Sequence, residues 1–125
     1  MTKQFQIYRC EVCGNITEVL HSEKGELVCC GKPMVLQKEK TEDEGKEKHV
    51  PVIKENEEGV DVNVGGVDHP MLPEHYIEWI EISTENGESK KFLKPGEKPN
   101  AKFPVKNKSV KSRAYCNVHG LWTSE

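Results

Sequence analysis

The chain has 125 residues, of which 34% are hydrophobic and 31% are charged, and its net charge is -3. This length has room for one ordinary domain, or for a very small metal-held domain followed by a compact one. The lysines are interspersed with acids, which disfavours nucleic acid as a partner, and no stretch approaches the roughly 20 apolar residues of a membrane span. The N-terminus carries no apolar export segment, so the sequence predicts a cytoplasmic protein with no membrane partner.

Residues 1–37 predict a very small β domain. Short strand-like runs occur at residues 5–9, 16–20, 27–28 and 34–36, and they are broken at Gly14, at Gly25 and at residues 31–33. Such a piece buries too little apolar surface to hold itself together. A bound metal would supply the missing folding free energy.

The four cysteines of this segment predict an all-thiolate metal site. They form two pairs, Cys10 with Cys13 and Cys29 with Cys30. Tetrahedral sulfur coordination suits zinc or iron, whereas disulfides are disfavoured in a reducing cytoplasm. Adjacent cysteines start on opposite sides of an extended backbone, so binding one ion with both should bend the chain and distort the tetrahedron. On these residues alone, a purely structural zinc site remains the alternative interpretation.

Residues 38–48 belong to a polar stretch and predict a charged linker. Over residues 49–125 the pattern predicts strands at 50–53, 60–64, 76–82, 91–93, 103–105 and 111–116, with no sustained helical periodicity. Val60, Val62 and Val64 alternate on one face, and Asn86-Gly87 is the clearest hairpin turn. The spacing of strands and turns predicts an all-β sandwich.

A second metal site of different chemistry is predicted in this part of the chain. Its candidate ligands are His49, His69, His75, Cys116 and His119. The Cys116-x-x-His119 spacing offers a thiolate and an imidazole from one turn, which favours Nδ1 of His119 as the binding atom. Five ligands exceed the four that zinc normally takes, so a transition metal with one open position fits better, and iron is the natural candidate. His21 is isolated from both groups and is left out of both sites.

These motifs resemble those of a known family. Residues 10–13 with Cys29-Cys30 resemble desulforedoxin, and residues 46–51, His69-Pro70, His75 and residues 115–120 closely resemble the active-site motifs of desulfoferrodoxin, the two-iron superoxide reductase. The resemblance covers essentially the whole chain. It implies a distorted rubredoxin-like Fe(Cys)4 centre in residues 1–37. It also implies an immunoglobulin-like β-sandwich with a square-pyramidal Fe(His)4Cys centre in residues 49–125.

The same resemblance implies one-electron reduction of superoxide to hydrogen peroxide by a homodimer, with rubredoxin or a similar small donor restoring the iron. Cys116 would be the axial ligand, and Lys48 would supply the positive charge that attracts superoxide. Glu47 would be the carboxylate that occupies the sixth position after peroxide leaves. A non-catalytic two-iron electron-transfer protein is the alternative, and it would need both metals shielded and coordinatively saturated.

Overall fold

The computed structural model describes residues 1–42, 48–106 and 110–124, and within these ranges the regular structure is all β. The chain forms two compact units, Met1–Lys38 and Glu39–Glu125. No helix in the described ranges is long and apolar enough to cross a membrane. The all-β fold class predicted from the sequence is therefore confirmed.

Short antiparallel strands build the first unit. They are β1 (Ile7–Arg9), β2 (Ile16–Glu18), β3 (Val28–Cys29), β4 (Lys32–Pro33) and β5 (Val35–Leu36). β1 lies between β2 and β5, while β3 pairs with β4 alone. The predicted break over residues 31–33 is wrong, because Lys32 pairs with Cys29 across a reversal that only Cys30 and Gly31 form. Ile7 and Val19 are buried, so the apolar core of this unit is as small as its sequence implied.

Two antiparallel sheets form the second unit. Its strands are β6 (Pro51–Asn56), β7 (Gly59–Val64), β8 (Ile77–Thr84), β9 (Gly87–Phe92), β10 (Asn100–Phe103), β11 (Lys111–Cys116) and β12 (Gly120–Thr123). One sheet has the order β10-β7-β6 and the other has the order β12-β11-β8-β9. The predicted hairpin connects β8 to β9, with Glu85 and Asn86 as its two loop residues and Gly87 already paired with Thr84.

The core of the second unit lies between its two sheets. Val60, Val62 and Val64 of β7 project into it together, as their alternation predicts, and all three are buried. From the other sheet Ile80 and Ile82 enter the same cluster. These inward faces make the unit a β-sandwich of the predicted immunoglobulin-like type.

The strand predicted at 103–105 is misplaced, because β10 shares only Phe103 with it. Strand β12 is an element of the sandwich that the sequence pattern does not predict at all. It has four residues and begins directly after His119, so it shows no alternating run of its own. Its strand conformation comes from pairing with β11, in which Tyr115 faces Leu121 and Cys116 faces Gly120. On its other side β12 forms a parallel bridge with Lys40, a residue of the predicted linker.

Candidate metal centres

The four cysteines of the first unit lie together. The N–H of Cys13 donates to Sγ of Cys10 at 3.4 Å, and Sγ of Cys13 lies 3.5 Å from Sγ of Cys29. Sγ of Cys29 lies 3.9 Å from Sγ of Cys30. All four sulfurs fall within 4.8 Å of one another, which is the spacing expected of ligands around a single ion.

A left-handed backbone at Cys30 brings the two adjacent cysteines to the same cluster. Cys30 has a φ of 55° and Gly31 has a φ of 75°, so the chain leaves the extended conformation directly after Cys29. An L-residue adopts this conformation at a steric cost, which the surrounding structure has to offset. The bend expected from the Cys29-Cys30 sequence is therefore present in the backbone.

The electrostatics of this cluster favour a thiolate at Cys10 and protonated sulfurs at Cys29 and Cys30. The pKa of Cys10 is lowered to about 6, chiefly because the N–H of Cys13 donates to its sulfur. The pKa of Cys29 is raised to about 12, chiefly through its hydrogen bond with Cys10, and the pKa of Cys30 is raised chiefly through Cys13. A bound cation would replace the protons that hold such sulfurs together. The four cysteines therefore fit a metal that prefers thiolate ligands.

In the second unit, His69 follows the turn at the end of β7. Its N–H donates to the carbonyl of Val64 at 2.8 Å, which closes the turn through Gly65 and Gly66. Nδ1 of His69 lies 2.7 Å from the carbonyl oxygen of Pro70, so Nδ1 carries the proton and Nε2 carries the lone pair. The imidazole is 2% exposed, and burial lowers its pKa to about 4. His69 is therefore a neutral ligand at pH 7.

His75 is presented by a tight turn just before β8. The backbones of Leu72 and His75 exchange two hydrogen bonds, with N···O distances of 2.9 and 3.0 Å. Pro73 and Glu74 form the tip of this turn and are exposed. This closed turn fixes the backbone of His75 directly before Ile77 enters the core.

Cys116 and His119 occupy one short turn between β11 and β12. The β8–β11 register shifts here, so that Tyr115 faces Trp79 while Cys116 faces Ile77. A bulge of this kind re-aims side chains, and it leaves Cys116 completely buried at the end of the core. The N–H of His119 donates to Sγ of Cys116 at 3.4 Å, and Nδ1 of His119, the atom favoured by the spacing, lies 3.8 Å from that sulfur.

The four imidazoles form a closed ring close to this sulfur. Neighbouring ring centroids lie 4.8 Å apart for His49–His69, 4.7 Å for His69–His75, 5.0 Å for His75–His119 and 4.8 Å for His119–His49. Each neighbouring pair is edge to face, with interplanar angles between 67° and 82°. Nε2 of His49 lies 3.1 Å from Nδ1 of His119. One ring nitrogen from each of the four imidazoles therefore lies within the same small volume.

Unpartnered buried nitrogens show that this group fits a metal ion. Nε2 of His69 and Nε2 of His75 are buried without a hydrogen-bond partner in the described structure, which costs free energy unless a ligand satisfies them. One atom from each of the five residues lies within 4.8 Å of every other. Four nitrogens and one sulfur suit a transition metal better than tetrahedral zinc.

Opposing effects act on the pKa of the Cys116 thiol. Its pKa is raised chiefly by burial and also by Glu78, whereas hydrogen bonds in the turn and the charge of Lys40 lower it. The pKa of His119 is lowered, chiefly by burial and then by the neighbouring histidines and Lys40. Metal binding would therefore release a proton from the Cys116 thiol, while His119 already favours its neutral form.

Two contacts of the site were not predicted from the sequence. The indole of Trp122 stacks on His49, with centroids 4.5 Å apart and planes 18° apart. Nζ of Lys40 donates to the carbonyl of His119 at 2.8 Å. Tryptophan beside a ligand turn is a weak sequence signal, and a lysine 79 residues before its partner gives none.

The remaining predicted site residues have different outcomes. Lys48 is half-buried and directly precedes His49. Glu47 lies outside the described residues. His21 is exposed and lies 3.2 Å from a carboxylate oxygen of Glu23, and it takes no part in either cluster.

Comparison with known proteins gives matches over both units. A family model described as Desulfoferrodoxin matches residues 41–125, and one described as Desulfoferrodoxin, N-terminal domain, matches residues 2–37. A desulfoferrodoxin homolog from Archaeoglobus fulgidus is 56% identical over 124 residues, which cover 99% of each chain.

Two solved structures extend this comparison. The crystal structure of the superoxide reductase from Treponema pallidum has a TM-score of 0.81 at 27% identity and covers 99% of this chain and 100% of that one. A superoxide reductase (1Fe-SOR) from Giardia intestinalis has a TM-score of 0.54 at 38% identity and covers 62% of this chain and 95% of that one. The four-cysteine and His4Cys groups match the two iron sites of desulfoferrodoxin.

Proposed function

Because the chain belongs to the desulfoferrodoxin family, we propose that it is a superoxide reductase. The reaction joins one superoxide anion, one electron and two protons to give one molecule of hydrogen peroxide. The observation that carries this proposal is that nitrogens of four imidazoles and the buried sulfur of Cys116 lie within 4.8 Å of one another. Iron held by the five residues His49, His69, His75, Cys116 and His119 would supply the single electron.

Cys116 has the role of an electron-donating ligand in this proposal. Its sulfur is buried, and it accepts the N–H of His119, so the thiolate is held in one position and shielded from water. A thiolate in a dry site donates charge more strongly than a hydrated one. This donation favours transfer of the electron to the substrate.

We place access to the site on the side of His119, because His119 is exposed whereas Cys116 and His69 are buried. The substrate is a small anion and the chain has a net charge of -3, so a local positive charge would raise the rate of encounter. We assign that role to Lys48, next to ligand His49. Glu47, on the other side of Lys48, is proposed as the carboxylate that takes the substrate position once peroxide has left.

The same proposal also assigns the roles of the two modules, the electron donor and the oligomeric state. Residues 1–37 and 49–125 act as two modules joined by residues 38–48, and the catalytic module contains every ligand of the His4Cys site. The similarity to the 1Fe-SOR of Giardia intestinalis, which covers 62% of this chain, supports a module that works with one iron. Rubredoxin or a similar small carrier would return the electron, and the chain would work as a cytoplasmic homodimer.

Metal analysis combined with visible spectroscopy tests this function first. We expect two irons per chain, thiolate-to-ferric absorption from both sites, and a change in the spectrum of the His4Cys site when azide or cyanide is added. Zinc in place of iron would contradict the proposal. A ferric His4Cys spectrum that neither anion alters would instead support the electron-transfer alternative.

A further inference from the structure

Lys40 contacts the segment formed by His119 and strand β12 through both its backbone and its side chain. Its N–H donates to the carbonyl of Leu121 at 3.0 Å, and the N–H of Thr123 donates to its carbonyl at 2.8 Å. These bonds hold residue 40 beside β12. The side chain then turns toward the metal-binding turn, where Nζ donates to the carbonyl of His119 at 2.8 Å.

The same ammonium group also lies over Trp122. Nζ is 5.1 Å from the centroid of the indole, within the range of a cation–π contact. Because that indole stacks on His49, Lys40 contacts one ligand directly and reaches a second through one aromatic ring. His49 and His119 are neighbours in the ring formed by the four imidazoles. Lys40 therefore supports two adjacent histidines of the site.

We propose that Lys40 is a positioning residue of the His4Cys centre, which holds the turn of Cys116 and His119 and keeps a fixed positive charge beside the bound iron. The hydrogen bond to the carbonyl of His119 restrains the ligand backbone, as outer partners of metal ligands do. The positive charge disfavours the more highly charged ferric ion and therefore raises the reduction potential. The proposal rests on iron in this site and is independent of whether superoxide is the substrate.

Two substitutions separate the charge and hydrogen bond of Lys40 from its backbone role. Lys40→Met keeps the aliphatic stem and the pairing with β12 but removes the ammonium group, whereas Lys40→Arg keeps a donor and a charge. Lys102→Met is the matched control, because it makes the same charge change at an exposed position of β10 in the other sheet. All variants are tested as full-length, iron-loaded protein.

The readouts are the reduction potential of the second iron, by redox titration of its visible absorption, and the rate at which a chelator removes that iron. For Lys40→Met we expect a lower potential, with the ferrous-to-ferric ratio at fixed ambient potential reduced roughly threefold to tenfold, and iron release faster by about tenfold. Lys40→Arg should restore both, and Lys102→Met should change neither. Lys40→Met protein that keeps either the parent potential or the parent release rate would overturn the proposal. Equal shifts in Lys102→Met would also overturn it.

Discussion

Asn117 and Tyr76 are joined by two hydrogen bonds that connect the two ligand-bearing turns. The N–H of Tyr76 donates to Oδ1 of Asn117 at 2.9 Å, and the N–H of Asn117 donates to the carbonyl of Tyr76 at 3.2 Å. Nδ2 of Asn117 also donates to the carbonyl of Glu74 at 3.1 Å. Asn117 therefore fixes the turn of Cys116 and His119 relative to the turn that presents His75.

Asn117→Ala should loosen the second iron site. It removes both side-chain hydrogen bonds, each worth about 1 kcal/mol, and leaves the N–H of Tyr76 without its partner. We expect iron affinity at this site to fall roughly 10- to 100-fold, while the iron of the four-cysteine site is retained. Chelator competition followed by the absorption of each site measures this. Asn86→Ala, in the β8–β9 loop, is the control, and an Asn117→Ala protein that binds iron like the control would contradict the assigned role.

Cys116→Ser should severely impair superoxide reduction even when iron is loaded. The substitution replaces a thiolate with a hydroxyl, which donates much less charge to the metal. We expect a loss greater than the roughly 10- to 100-fold typical of outer-shell partners. The measurement is the second-order rate constant for superoxide by pulse radiolysis, at matched iron content. Full activity in this variant would exclude the thiolate from the chemistry.

Lys48→Ala should slow the reaction with superoxide and make it less sensitive to salt. The expected decrease is roughly threefold to tenfold at low ionic strength, because the attraction is a screened charge effect. Lys48→Arg should keep most of the rate. The comparison is made by measuring rate constants at several ionic strengths.

Glu47→Ala should leave the encounter with superoxide nearly unchanged. Its expected effect is on the ferric protein, where exchange of added azide becomes faster because the competing carboxylate is gone. Stopped-flow mixing with azide measures this exchange. A slow superoxide step in Glu47→Ala, together with a normal one in Lys48→Ala, would reverse the two roles.

Cys13→Ser tests whether the two modules are independent. The substitution removes one of four sulfurs, so the first iron should be lost or its spectrum altered. The second iron, reduced chemically, should still consume superoxide at close to the parent rate in a single turnover. A large loss of that rate, measured by radiolysis, would make the first centre an obligatory part of catalysis.

Local pattern was sufficient to predict much of the fold. The alternation of Val60, Val62 and Val64 identifies β7 and its buried face, and residues 111–116 form β11 as predicted. Strand β12 and the pairing of Lys32 with Cys29 escape prediction because each is defined by its partner strand. Such short elements show no hydrophobic periodicity of their own in the sequence.

The ligands of the site were predictable from residue type and spacing. The residues that hold those ligands in place were not. Cysteine and histidine carry their metal chemistry wherever they occur, so the nine candidates stand out in the sequence. The contacts of Asn117 with Tyr76 and of Lys40 with His119 span 41 and 79 residues. Contacts of that separation depend on the folded sandwich, and polar residue types alone do not indicate them.

The central claim is that the protein reduces superoxide, and the yield of hydrogen peroxide per superoxide tests it most directly. Reduced, iron-loaded protein in excess is exposed to a known pulse of superoxide, with Cys116→Ser protein as the control for spontaneous decay. The account predicts one hydrogen peroxide and one oxidised His4Cys iron for each superoxide consumed, with no dioxygen evolved. Half that yield of peroxide, with dioxygen evolved and no net oxidation of iron, would show dismutation and contradict the account.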